Sequence, residues 1–235
     1  MSKVKKLGII GGMSWESTQL YYQHLNRGVR QRLGGLHSAE LLLYSFDFAR
    51  IEALQASGDW AQANQEMIRA GMSLKNGGAD MIMIATNTMH KMADEVEQAT
   101  NLPLLHIADA TAGAVNERAC KSPLLLATNF TMTQDFYKGR LSESHNIEVI
   151  VPTQAERQVI HDVIYHELCQ GDIKEASKQA YLRIIQAHID SGQIDSVIMG
   201  CTEIGLLIGQ SDMDVPCFDT TAIHCEYAIK ALVKD

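Results

Sequence analysis

The stretch MIMIATNTMH, residues 81–90, begins as an apolar run fit for a buried strand and breaks abruptly into Thr86, Asn87, Thr88 and His90. A second run, SVIMGCTEIG (196–205), ends the same way, with Cys201, Thr202 and Glu203 after the apolar residues. Short continuous apolar runs of this kind suit strands covered on both faces, as in parallel sheets. Working outward, the strand candidates fall into two sets: 6–12, 41–47, 81–86 and 102–108, then 122–128, 147–153, 196–201 and 215–220. Amphipathic stretches fill the gaps, most clearly 16–33, 60–76, 90–99, 155–169, 173–191 and 221–234. The alternation predicts βα units around mostly parallel sheets.

The two sets match at a nearly constant offset. Thr86 and Cys201 lie 115 positions apart, Pro103 and Pro216 lie 113 apart, and LPLLHIADATAGAV (102–115) shares its strand-then-helix-start design with VPCFDTTAIHCEYAI (215–229). This pattern reads as an internal duplication. It predicts an α/β fold of two pseudo-symmetric lobes, each a mostly parallel four-stranded sheet flanked by helices, with the active site in the cleft between them. The expected N-terminal lobe is 1–108 plus 221–235, and the C-terminal lobe 109–220.

Bulk composition narrows the partners. With 235 residues, 46% hydrophobic and 20% charged, the chain can bury one large core or two of roughly 110 to 120 residues each. The net charge of −8 comes with scattered Lys and Arg, so neither a nucleic-acid nor an anionic-membrane footprint is present, and a small solute is the expected partner. No apolar run reaches 18 residues, and the short run after the charged start ends at Gly11 and Gly12; a soluble, cytoplasmic protein is expected. Five cysteines (120, 169, 201, 217, 225) without a CxxC pair argue for reduced thiols, and all but Cys201 read as small buried hydrophobes. The nine histidines form no metal-ligand spacing, so no metal is expected.

In open α/β sheets ligands sit beyond the carboxyl ends of the strands, where loops and helix N-termini present unpaired N–H groups. GGMS (11–14) supplies glycines for close backbone approach and Ser14 as a helix cap; it is neither G-x-G-x-x-G nor a P-loop, so no nucleotide cofactor is indicated. ATNFT (127–131) offers Thr128, Asn129 and Thr131 in the symmetric place. With the ends of the two opening stretches, these loops would form an anion-friendly pocket of hydroxyls, amides and backbone N–H, suited to a compact polar substrate that carries a carboxylate.

LGIIGGMS (7–14), TNTMH (86–90), PLLHIADAT (103–111), LLLATNFTM (124–132) and GCTEIGLL (200–207) together resemble the aspartate/glutamate racemase family over essentially the whole chain. The resemblance implies a cofactor-independent amino-acid racemase in which a thiol from each lobe flanks the substrate Cα. Here only the second thiol, Cys201, is present; the family's Cys-Asn-Thr reads Thr86-Asn87-Thr88. A thiol can become a thiolate near neutral pH when helix N-terminal amides lower its pKa, whereas an aliphatic hydroxyl stays protonated. The expected catalytic pair is therefore Cys201 as base and Thr86 as acid partner, with one direction of reaction favoured.

By the same resemblance, Asn87, Thr88, Thr202 and strand-end amides would hold the α-carboxylate, with Met13, Ser14, Thr128, Asn129 and Thr131 completing the lining. Glu203, beside Cys201, or His90, on the turn after Thr86, would orient its partner, and for His90 this competes with a reading as a plain helix-turn hydrogen bonder. Arg50 in FDFARIE falls where family members hold a distal carboxylate, and competes with a reading as a solvated helix-start arginine. Cys169 stands where aspartate-specific members carry a lysine, which argues against strict aspartate specificity. Relatives commonly pair as homodimers. Two other readings stay open: a single-thiol decarboxylase or isomerase of a dicarboxylic acid, and a non-catalytic amino-acid-binding protein.

Overall fold

The computed structural model of the chain describes residues 5–233. Seven strands form two sheets, both parallel: β1 (Leu7–Gly11), β2 (Leu41–Ser45), β3 (Met81–Ile84) and β4 (Leu104–Leu105) in the order β2-β1-β3-β4, and β5 (Pro123–Leu126), β6 (Ser196–Met199) and β7 (Cys217–Asp219) in the order β5-β6-β7. Between them run α1 (Trp15–Leu33), α2 (Phe48–Ser57), α3 (Trp60–Asn76), α4 (Ala93–Thr100), α5 (Ile107–Glu117), α6 (Asn129–Thr133), α7 (Asp135–His145), α8 (Gln154–His166), α9 (Glu175–Asp190) and α10 (Thr220–Leu232). The chain divides into two compact units: residues up to His106 with those from His224 onward, and Ile107–Ile223.

In the first unit the sheet is covered on both faces, which is why its strands carry no polar alternation. Leu7, Ile9, Met81 and Met83 meet Tyr21, Leu25 and Val29 of α1 and Cys225, Ala228 and Ile229 of α10. Ile10, Ile82 and Ile84 point the other way, against Ile51, Ala63, Met67, Ala70 and Val96 of α2, α3 and α4. The close fit of α10 on α1 depends on Gly28, where an added Cβ would lie 2.2 Å from Ile229 Cδ1. Helix ends follow local chemistry: Ser14 caps α1 by accepting from the Ser17 N–H, and α2 stops at Gly58 in the left-handed conformation (φ 72°).

In the second unit one continuous core gathers Leu124–Leu126, Val197, Ile198 and Phe218 with Tyr137, Ile160, Tyr181 and Ile185. Thr153 and Glu156 form a reciprocal capping box that starts α8. Here the sheet has three strands rather than the expected four. Residues 147–153 do run beside β5, with Glu148 N–H bonded to the Lys121 carbonyl and Ile150 N–H to that of Pro123. The next donor in that parallel series is Pro152, which has no N–H, so the ladder stops and only an isolated Leu124–Ile150 bridge remains. The helix expected over 90–99 also opens differently, as a 3₁₀ turn over Thr88–Met92 before α4. Among the described residues no helix is long and apolar enough to cross a membrane.

His224 is fully buried in the core of the first unit; its Nε2–H donates to the Leu105 carbonyl (2.7 Å) and its Nδ1 accepts from the Tyr21 hydroxyl (3.1 Å). Burial pushes its pKa from 6.5 down to about 4, so the folded state holds it neutral while an unfolded chain protonates it below pH 6.5. The folded pKa is depressed, so this stabilisation is complete above pH 6.5 and disappears as pH falls through 4. At about 1.4 kcal/mol per unit, the loss amounts to about 3 kcal/mol. Urea unfolding of the wild type and of His224→Gln at pH 7 and pH 4 checks this: the wild type should lose about 3 kcal/mol more between the two pH values than the variant.

Candidate active site

Polar side chains collect at the carboxyl ends of the strands in each unit. In the first, the sheet order reverses direction at β1 and β3, the place where open α/β sheets bind ligands. The end of β1 is built by glycine. Gly12 adopts φ 82°, and a Cβ there would lie 2.4 Å from both the N and the O of Phe46, so only glycine lets the chain after β2 pass this close. Met13 and Ser14 follow, both buried, and the Thr18 hydroxyl ties the turn by accepting from Gly12 N–H and donating to the Ser14 carbonyl, each at 2.8 Å. Beside it, the ladder of β3 extends to Ala85, whose N–H reaches the Ile10 carbonyl (2.8 Å); Thr86 is the first residue free of the strand pairing and is half-buried. Asn87 and Thr88 are buried on the turn that follows.

Arg50 occupies the first turn of α2, beyond β2. A cation there opposes the helix dipole, and the opposition is offset by a buried carboxylate: Glu66 of α3, 3% exposed, is ion-paired to Arg50 through one oxygen and to Arg69 through the other. Arg50 is therefore neither freely solvated nor an unclaimed anion hook. Its guanidinium is already engaged, with the side chain still more than half exposed.

In the second unit the loops after β5 and β6 are neighbours. Thr128 caps the short α6, accepting from the Thr131 N–H (3.4 Å) with the two threonine hydroxyls 3.2 Å apart. Thr131 is fully buried, whereas Asn129 is exposed and its N–H donates to His161 Nδ1 (3.3 Å). After β6, Gly200 allows close passage against Leu125, and Cys201, Thr202 and Glu203 are all buried. The Glu203 carboxylate accepts from both the Cys201 thiol (3.0 Å) and the Thr202 hydroxyl (2.8 Å) through the same oxygen.

That arrangement differs from a thiol poised by helix amides. Cys201 is followed by a three-residue 3₁₀ turn, Ile204–Leu206, not an α-helix. Burial raises the thiol pKa well above the ordinary value; the neighbouring Glu203 charge and the bond the thiol donates to it push the same way, offset in small part by the Glu203 backbone N–H. The resting pair is a thiol that donates its hydrogen bond to the neighbouring carboxylate. The structure thus brings the sequence candidates into two half-sets, Met13, Ser14, Arg50, Thr86, Asn87 and Thr88 in one unit and Thr128, Asn129, Thr131, Cys201, Thr202 and Glu203 in the other. Sequence reading missed Glu66, whose partners come from an earlier helix and from its own next turn; a lone glutamate on an otherwise apolar face of α3 was the available signal. Among the described residues no group of three or more His, Cys, Asp or Glu is placed to hold a metal ion.

Alkylation of Cys201 by iodoacetamide, followed residue by residue by mass spectrometry, tests the thiol's state. Its rate should rise about tenfold per pH unit from 7 to 9 without levelling near the ordinary thiol pKa of about 8.5. Glu203→Gln should speed alkylation at pH 7.5 several-fold; an unchanged rate would show that burial alone holds the proton.

The sequence pattern of the Asp/Glu/Hydantoin racemases matches residues 10–228. A candidate Asp/Glu racemase from Yersinia pestis is 51% identical, covering 97% of this chain and 99% of its own, with a TM-score of 0.90. An aspartate racemase homologue from Pyrococcus horikoshii OT3 is 36% identical over 97% and 99%, with a TM-score of 0.84. The broad specificity amino-acid racemase RacX of Bacillus subtilis is 22% identical over 223 residues, 92% of this chain and 93% of RacX. Glutamate racemase from Francisella tularensis, at 16% identity and TM-score 0.65, shares the fold. The match over residues 10–228 and the 51% identity with the Yersinia pestis protein place this chain in the Asp/Glu/hydantoin racemase family.

Proposed function

We propose that the protein is a cofactor-independent racemase of aspartate, glutamate or a similar small polar amino acid, with Cys201 as the base and Thr86 as the proton donor for the other face of Cα. The observation that carries this reading is the equivalence of the two strand ends: Thr86 follows β3 and Cys201 follows β6 at matching positions of the duplicated pattern, with a buried carboxylate hydrogen-bonded to the thiol.

The Cys201 thiol passes its proton to Glu203, favoured when the substrate ammonium brings positive charge to the pair. The thiolate then removes the Cα proton, and the electron pair delocalises into the α-carboxylate as an enediolate. Asn87, Thr88, Thr202 and nearby backbone N–H groups supply the donors such a species needs, since the Cα–H is very weakly acidic and no lysine stands there to form an imine. The Thr86 hydroxyl delivers a proton to the opposite face and is reprotonated by water, while Glu203 releases its proton to solvent. A hydroxyl is a far poorer base than a thiolate, so turnover favours the enantiomer whose Cα–H faces Cys201. Because Arg50 is shared with Glu66, the site holds a distal carboxylate less tightly than a free arginine would, which supports a broad side-chain preference.

Each enantiomer of aspartate and glutamate, incubated in D₂O, should acquire deuterium at Cα. Cys201→Ser should cut this by about a thousandfold or more, and Thr86→Ala should abolish inversion while leaving exchange with retention. Thr86→Cys should raise the slower direction. Carbon dioxide release would instead mark a decarboxylase, and thermal stabilisation without exchange would mark a binding protein.

A further inference from the structure

The first unit encloses a polar cluster that the steps above do not use. Tyr21 of α1, His90 of the turn after β3, His106 after β4 and His224 of α10 are all buried. Their rings touch in series: His106 to His90 at 4.6 Å between centroids, His90 to His224 at 5.6 Å, and His224 to Tyr21 at 5.8 Å. A carbonyl oxygen only accepts, so the contacts fix which nitrogen bears the proton. His90 Nδ1 lies 2.7 Å from the Thr86 carbonyl and therefore carries a proton, and His224 Nε2 does so against Leu105. Burial holds His224 neutral, so it places no charge against the His90 ring that meets it edge-on.

We infer that His90 is a positioning residue for Thr86: its Nδ1–H clamps the Thr86 carbonyl, and the packed rings of His106 and His224 hold the His90 imidazole in that orientation. The sheet itself does not do this. Strand pairing ends at Ala85, and the Thr86 carbonyl lies on the turn that closes with His90 N–H bonded to the Asn87 carbonyl (3.1 Å). Holding the Thr86 carbonyl fixes the peptide plane between Thr86 and Asn87, and so the path by which the chain leaves Thr86 for the turn that carries Asn87 and Thr88. A part-buried carbonyl without a donor would turn to find one, loosening the turn and with it the backbone at residue 86 that bears the hydroxyl. This inference rests on Thr86 being the proton donor of the proposed racemase.

Three substitutions separate a clamp from general packing. The side-chain amide of asparagine places its N–H where the imidazole Nδ1 sits, that of glutamine places it where Nε2 sits, and phenylalanine keeps the ring but no donor. In D₂O, His90→Phe and His90→Gln should lower deuterium incorporation with inversion tenfold or more and change exchange with retention less than threefold, because retention needs only Cys201. His90→Asn should stay within threefold of wild type on both. In a Thr86→Ala background, His90→Phe should add no further loss. An equal fall in both kinds of exchange, or His90→Asn as impaired as His90→Phe, overturns the clamp. Nitrogen-15 spectra of the histidine-labelled wild type read the same point without turnover: a His90 proton on Nδ1 supports the clamp, and a proton on Nε2 alone overturns it. A protein that exchanges no amino acid yet shows the Nδ1–H form sinks the racemase reading and keeps the clamp.

Discussion

A strand covered on both faces has little room for a polar side chain until its pairing stops; Ser196, at the start of β6, is accommodated only by donating to the adjacent Asp195 carboxylate. In β3 and β6 every residue is buried, and the first residues beyond them are the first that can carry chemistry. Parallel pairing adds direction: all strands of a sheet end on the same edge, so the residues just past neighbouring strands gather there without any long-range design. The glycines at 11, 12 and 200 complete the effect by letting adjacent loops pass at contact distance. Chemistry at these ends is thus a by-product of how the core is filled, and the core is what makes the position of Thr86 and Cys201 definite.

The electrostatics of the Cys201 turn follow from the same burial. A thiolate and a carboxylate 3.0 Å apart in a site this dry would repel strongly, so the resting pair keeps one proton between its members. What looks at first like a handicap for a base is a way of storing it, since the proton that keeps the pair from carrying two negative charges is held within reach of both groups. Glu66 solves a related problem by a different route: a carboxylate 3% exposed, balanced by two guanidiniums that remain largely in water.

Much of this was legible in the sequence. The apolar runs located the seven strands of the described residues, and the polar breaks after residues 84 and 199 marked where β3 and β6 end, because period and composition are local properties. The segment 147–153 misled because its β-branched residues look like a strand, and only the register against β5 reveals that Pro152 falls where a donor is required. The pairing of Arg50 with Glu66, and the meeting of His90, His106 and His224, join residues up to 134 positions apart, beyond any local signal. The state of Cys201 was illegible for the same reason: the burial that raises its pKa is contributed by the whole core around it.

The division of the chain has a consequence for biosynthesis. The second unit is continuous from Ile107 to Ile223, whereas the first takes α10 from beyond it. Cys225, Ala228, Ile229 and Leu232 close one face of the first sheet, and they leave the ribosome after every residue of the second unit. The unit that is begun first is consequently the one completed later, and until α10 has been made the face of the nascent sheet formed by Leu7, Ile9, Met81 and Met83 has only α1 to cover it.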